Sequence, residues 1–188
     1  MPKKQFWLDL FACFLIPAYT LLFAGSVEWF GSNFSVLAVT GPGHYRGFLY
    51  WGLLAGGYFF VMLHKLAFAL PSRRAGRGVR LITLCSLLSL CYAMAIPYLP
   101  ACFPKYAALH VLLAAGSSVL LMLALLCVIL SLYRRDRARW RGGLLGWWLI
   151  TGGCGFLFLI PRMVTTALEV FFTISAALLT RWLWLRRN

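Results

Sequence analysis

Carboxylates are scarce in this chain. Asp9, Glu28, Asp136 and Glu169 are its 4 acidic residues, set against 18 lysines and arginines and 3 histidines. Glu28 lies in SVEWFGSNF (26–34), His44 and Arg46 in TGPGHYRG, Lys105 and His110 in PKYAALH, and Arg162 and Glu169 in PRMVTTALE. A carboxylate and an imidazole can exchange a proton as acid and base, while arginine and lysine can hold an anionic headgroup. Two histidines with two carboxylates would also suffice for zinc. No HxxxH or HExxH spacing occurs, and Cys13, Cys85, Cys91, Cys102, Cys127 and Cys154 show no CxxC, so neither metal nor cofactor is expected. No GxSxG motif or serine–histidine arrangement supports nucleophilic catalysis. Ser117 and Ser118, which follow His110 on the same run, are expected to bond back to their own helix.

The elements that carry these residues are apolar. The chain is 62% hydrophobic, 12% charged, and has a mean hydropathy of +0.83. A soluble domain carries about twice that share of charge, and several apolar runs approach the ~20 residues that cross a bilayer as helix. The expected fold is an all-α polytopic integral membrane protein, a bundle of six transmembrane helices in a single domain over residues 1–188. Spans are expected near 6–27, 47–70, 81–99, 106–132, 144–161 and 164–184. PSRRAGRGVR (71–80) and RRDRARWRGG (134–143) read as basic, glycine-containing breaks, and PYLPACFPK (97–105) as a break made by Pro97, Pro100 and Pro104. The N-terminal run resembles a signal peptide, yet Asp9 and Pro17 inside it favour a retained first span. The short IPRMVTT connection makes the last two spans antiparallel neighbours.

The net charge of +14 is distributed as topology rather than as a nucleic-acid surface. Apart from Arg46, Lys65, Lys105 and Arg162, every lysine and arginine falls on one side of the six spans. That bias predicts a plasma or inner membrane protein with both termini cytoplasmic, and it excludes nucleic acid as a partner. RRDRARWR should meet anionic lipid headgroups at about 1 kcal/mol per basic residue. Asp9 and Lys65, each a few residues inside an antiparallel neighbour, are expected to form a structural ion pair. Membrane lipids are the expected partners, beside a second copy of the chain or another membrane protein.

The remaining polar residues gather at the other face: Glu28, Arg46, Lys105, His110, Arg162 and Glu169, with His44 as a loop residue. Glu169 falls about 7 residues inside the expected sixth span, roughly 10 Å deep at ~1.5 Å per residue. An ionisable group at that depth needs a partner or water. The cluster therefore reads either as a ligand site for a polar headgroup, ion or proton, or as an ion pair of Glu169 with Arg46 or Arg162 that holds the bundle.

RGFLYWG after a polar loop, ALHVLLAAGSSVLLM (108–122) and TALEVFFTISAALL (166–179) make the chain resemble the six-span Frag1/DRAM/Sfk1 group and the DUF998-type bacterial proteins. The resemblance implies a histidine near the outer end of the fourth helix, here His110, and a glutamate in the last, here Glu169. The tryptophan that often follows that glutamate is Val170 in this chain. It further implies a lipid-related role. The leading expectation is a non-enzymatic protein that binds a lipid or small amphiphile at the outer cluster. The alternatives are an intramembrane lipid-modifying enzyme using His110 and Glu169, and a small transporter or substrate-binding transporter subunit.

Overall fold

The computed structural model describes residues 3–25 and 27–187, with side chains from Phe6 onward. The Lys3 and Lys4 side chains, part of the charge asymmetry, and Ser26 of the 26–34 stretch lie outside that description. Among the described residues the order is α1 (Lys3–Leu10), a π-turn (Phe11–Leu15), α2 (Ile16–Ala24), α3 (Phe34–Ala38), α4 (Pro42–Phe68), α5 (Arg73–Ala95), α6 (Pro104–Tyr133), α7 (Arg137–Leu159) and α8 (Thr166–Arg187). Six stretches are long and apolar enough to cross a membrane: Phe6–Ala24 and the whole of α4, α5, α6, α7 and α8. Leu22, Leu53, Leu81, Leu112, Leu149 and Leu178, one from each span, are between 43% and 79% exposed. Outward leucines on all six helices require hydrocarbon around the bundle. The chain is a multi-pass membrane protein.

Local chemistry explains where the helices begin. Pro17 has no N–H, and its ring would collide with the carbonyl of Cys13 one turn back. The first span relieves this by widening into the π-turn, where Ile16 N–H reaches the carbonyl of Phe11. Ser72 caps α5 by accepting from Ala75 N–H at 3.3 Å, and Asp136 caps α7 by accepting from Arg139 N–H at 2.9 Å. Each such cap contributes about 1 kcal/mol.

These caps correct the expected boundaries. The basic stretches read as breaks are helical from Arg73 and from Arg137, because arginine is a good helix former and the cap stands immediately before it. Gly76 belongs inside α5 for a steric reason: a Cβ there would lie 2.5 Å from the carbonyl oxygen of Ala67 on α4. The proline-rich segment behaves as expected, with α5 ending at Ala95 and α6 opening on Pro104. The short α3, absent from the sequence reading, starts at Asn33, whose side chain accepts from Val36 N–H at 2.9 Å.

Helices α4 to α8 follow one another as packed neighbours, and α8 closes the ring against α2, the π-turn and α4. Met62, Leu63, Leu125, Val128, Ile129, Ala176 and Leu183 are fully buried where α4, α6 and α8 meet. Tyr58 on α4 donates to the carbonyl of Ala177 on α8 at 3.1 Å inside that core. One end of the bundle holds α3 and its flanking loops. The other holds the arginine-rich helix ends.

Candidate functional site

Glu169 and His110 both act on α3. Helix α8 begins only at Thr166, after the turn at 160–165, so Glu169 lies in its first turn rather than two turns deep. Its Oε2 accepts from Phe34 N–H at 2.7 Å, the first amide of α3. The expected alternative of an ion pair with Arg46 or Arg162 is not what the structure shows. A carboxylate suits this place because the N-terminal dipoles of two helices converge on it. The loop returns the favour: Thr166 N–H donates to Ser32 O at 2.7 Å and Ala167 N–H to Trp29 O at 3.0 Å. Thr165 Oγ1 takes Leu168 N–H at 3.3 Å. The orphan amides that open α8 are thereby satisfied. Asn33 adds a bond from Nδ2 to the carbonyl of Val164 at 3.3 Å.

His110, 3% exposed, stands in the second turn of α6. Its Nδ1 is 2.8 Å from the carbonyl of Ile96 and its Nε2 is 2.7 Å from Ser35 Oγ. A carbonyl only accepts, so Nδ1 carries a proton and donates to Ile96, which leaves Nε2 to pair with the Ser35 hydroxyl. This serine–histidine pair was invisible in the sequence, where the two residues stand 75 positions apart. It has the separation of a nucleophile and its base. The backbone amides around it, however, are engaged: Phe34 N–H by Glu169, Val36 N–H by the Asn33 side chain and Leu37 N–H by the Asn33 carbonyl. The adjoining cavity, lined by Tyr45, Met94, Ile96 and Tyr98 among others, measures about 10 Å³. That volume is on the order of one water. The pair ties α3 to α6 and to the 96–103 loop, and the cavity beside it is too small to admit a substrate.

The other members of the cluster expected at this face are placed differently. Glu28, Arg46, Lys105 and Arg162 are exposed, and their side chains form no ion pair or hydrogen bond among the described residues. Arg162 holds a left-handed backbone, φ 55°, at the turn between α7 and α8. His44 Nδ1 lies 2.7 Å from Thr40 Oγ1 on the surface. Among the described residues no three histidine, cysteine, aspartate or glutamate side chains converge.

At the opposite end Asp9 takes a different cation from the one expected. Its Oδ1 is 2.6 Å from Nε of Arg181, which is 2% exposed. Lys65 instead holds its Nζ 5.8 Å from the ring centroid of Trp184. Arginine presents a planar fork that fits a carboxylate, while the flexible lysine stem can carry its charge outward. Counting charges assigned Arg181 to the cytoplasmic tail. The sequence signal that separates it is the apolar WLWL between it and Arg186, which leaves Arg181 about 7 Å inside the helix at ~1.5 Å per residue.

A second concavity was not foreseen. A groove of about 950 Å³ runs between the first span and α4, lined by Leu8, Phe11, Phe14, Tyr19, Leu53 and Tyr58 among others. Its walls are almost wholly apolar. Two of its lining hydroxyls are engaged: Tyr19 donates to the carbonyl of Gly47 at 3.1 Å, and Tyr58 to that of Ala177 at 3.1 Å. From Leu8 to Leu22 the groove follows the first span over roughly 21 Å at ~1.5 Å per residue. Arg46 stands one turn before Tyr50, a lining residue, on the same face of α4. No protein-family model, curated protein or solved structure matches this chain.

Proposed function

We propose that this membrane protein binds a lipid or lipid-like amphiphile, with one hydrocarbon chain in the groove between the first span and α4. The carrying observation is the groove itself, apolar along its length and longer than one ~15 Å leaflet, half of a ~30 Å hydrocarbon core. Its headgroup meets Arg46 at the mouth, so the favoured ligand is anionic. Glu169 and His110 serve this reading as the residues that hold α3 in place, and no longer as ligand-lining groups. Lys105 and Arg162 add positive charge at the same end. The resemblance to lipid-associated six-span proteins belongs to the same proposal, as does an orientation with both termini cytoplasmic in a plasma or inner membrane.

Energetics assign the parts different tasks. A chain that leaves bilayer hydrocarbon for an apolar groove gains little from the hydrophobic effect, because lipid tails are as apolar as leucine. Selectivity must come from shape and from the headgroup, at about 1 kcal/mol per basic residue. Gly57 supplies the test, since it lines the groove and a Cβ there meets nothing within 4 Å. Gly57→Leu should fold normally and lose the lipid that accompanies the wild type from mild detergent into native mass spectrometry. Arg46→Gln should keep the chain site and weaken retention of anionic species about fivefold, as ~1 kcal/mol requires. Retention of the same lipid at wild-type occupancy by Gly57→Leu would place binding elsewhere.

A further inference from the structure

At the basic end, far from that groove, we propose a second and independent site: a clasp of Arg139 and Arg186 on the α7–α8 seam that holds the phosphate of an anionic phospholipid.

The two arginines reach across the seam to each other's backbone. Arg139 Nη2 donates to the carbonyl of Arg186, and Arg186 Nη1 donates to the carbonyl of Arg139 at 2.6 Å. Each guanidinium also lies over a tryptophan: Arg186 is 4.8 Å from the Trp182 centroid and Arg139 is 5.7 Å from that of Trp140. The two indoles meet edge to face at 6.4 Å. Trp182 reaches this position because α7 offers glycine there. A Cβ on Gly142 or Gly143 would come within 3.3 or 3.1 Å of its ring. The arginines are thus positioned by backbone and aromatic contacts before any ligand arrives, which lowers the ordering entropy that binding must overcome.

Among the described residues the clasp has no carboxylate partner. The carboxylate nearest in sequence, Asp136, directs Oδ1 to Arg139 N–H as the cap of α7. Two cations held on one seam repel. The carbonyls at the C-terminal end of α8 offset this only in part. A guanidinium has five N–H donors, of which the clasp engages one on each side. The forked geometry of the rest matches phosphate oxygens. Tryptophans beside arginines at a helix end mark the membrane interface, where phosphate arrives attached to lipid. Leu145, Trp148 and Leu149, exposed on the following turns of α7, give its chains an apolar path.

The test uses the full chain, delipidated in an uncharged detergent and followed by thermal unfolding. Phosphatidylglycerol should raise the wild-type Tm by roughly 5 °C or more near saturation, and phosphatidylcholine by much less. Arg139→Gln with Arg186→Gln should cut the phosphatidylglycerol shift to the phosphatidylcholine level. Arg73→Gln with Arg74→Gln, which removes equal charge from exposed positions at the start of α5, should leave it intact. Arg139→Lys keeps the charge but not the fork and should give an intermediate shift. A full shift in the clasp double variant, or an equal loss in the α5 control, would overturn the proposal. So would inorganic phosphate that reproduced the shift unaided, since it would mark a site for free anion.

Discussion

Removal of Asp9 tests the reasoning about buried charge most directly. Arg181 is 2% exposed and its Nε is bound at 2.6 Å to Asp9, whose own side chain is 32% exposed. Asp9→Ala leaves a guanidinium inside the bundle without its carboxylate, and loss of one partner from a buried pair costs about 3–5 kcal/mol. Asp9 is partly open to its surroundings, so the lower end applies, about 3 kcal/mol. For a chain of this size ~1 kcal/mol moves Tm by roughly 2–4 °C, so Asp9→Ala should melt roughly 6–12 °C below wild type in detergent. Asp9→Leu combined with Arg181→Met replaces both charges by apolar volume and should recover most of that loss, because a paired charge and a packed hydrophobe are nearly equivalent in a buried site. The assay is a double-mutant cycle on thermal unfolding with the two single variants beside the double. Strict additivity, or an Asp9→Ala variant within ~1 kcal/mol of wild type, would refute the claim that the carboxylate neutralises Arg181.

Two further predictions concern the α3 end. Glu169→Gln keeps an oxygen that can accept from Phe34 N–H and should cost under ~1 kcal/mol, while Glu169→Ala strips the amide of its partner and should cost about 1–2 kcal/mol. Hydrogen exchange at Phe34 reads the difference, and equal protection in both variants would contradict the capping role. Arg162→Gly relieves the left-handed backbone at φ 55° and should stabilise by about 0.5–1 kcal/mol in chemical denaturation. A loss of stability there would show that the exposed side chain makes a contribution its position does not suggest.

The division between what could be read in the sequence and what could not has a physical basis. Spanning helices are announced by composition and length, because a bilayer leaves few other solutions. Buried or interfacial charges announce that they have partners, as Glu169, His110 and Asp9 did. The partners themselves are another matter. Glu169 and His110 bind a backbone amide and a backbone carbonyl, and every residue offers those. Phe34 and Ile96 therefore carry no side-chain signal at all. The Asp9 partner was misassigned because a tally by loops treats Arg181 as equal to Arg186, although four apolar residues separate them. The groove depends on how the first span and α4 lie against each other, which a residue pattern does not encode.

The closure of the ring by α8 also sets an order of events during synthesis. The carbonyl of Ser32 meets the hydroxyl of Thr166, 134 residues later, and Asp9 meets Arg181, 172 residues later. At ~5–20 residues per second of translation, the first loop waits about 7–27 s for the helix that satisfies it. Throughout that interval the first span holds a carboxylate at one end and an unanchored loop at the other. Helix α8, made after the other five spans, secures both ends of the first, so a chain interrupted before it has neither fastening.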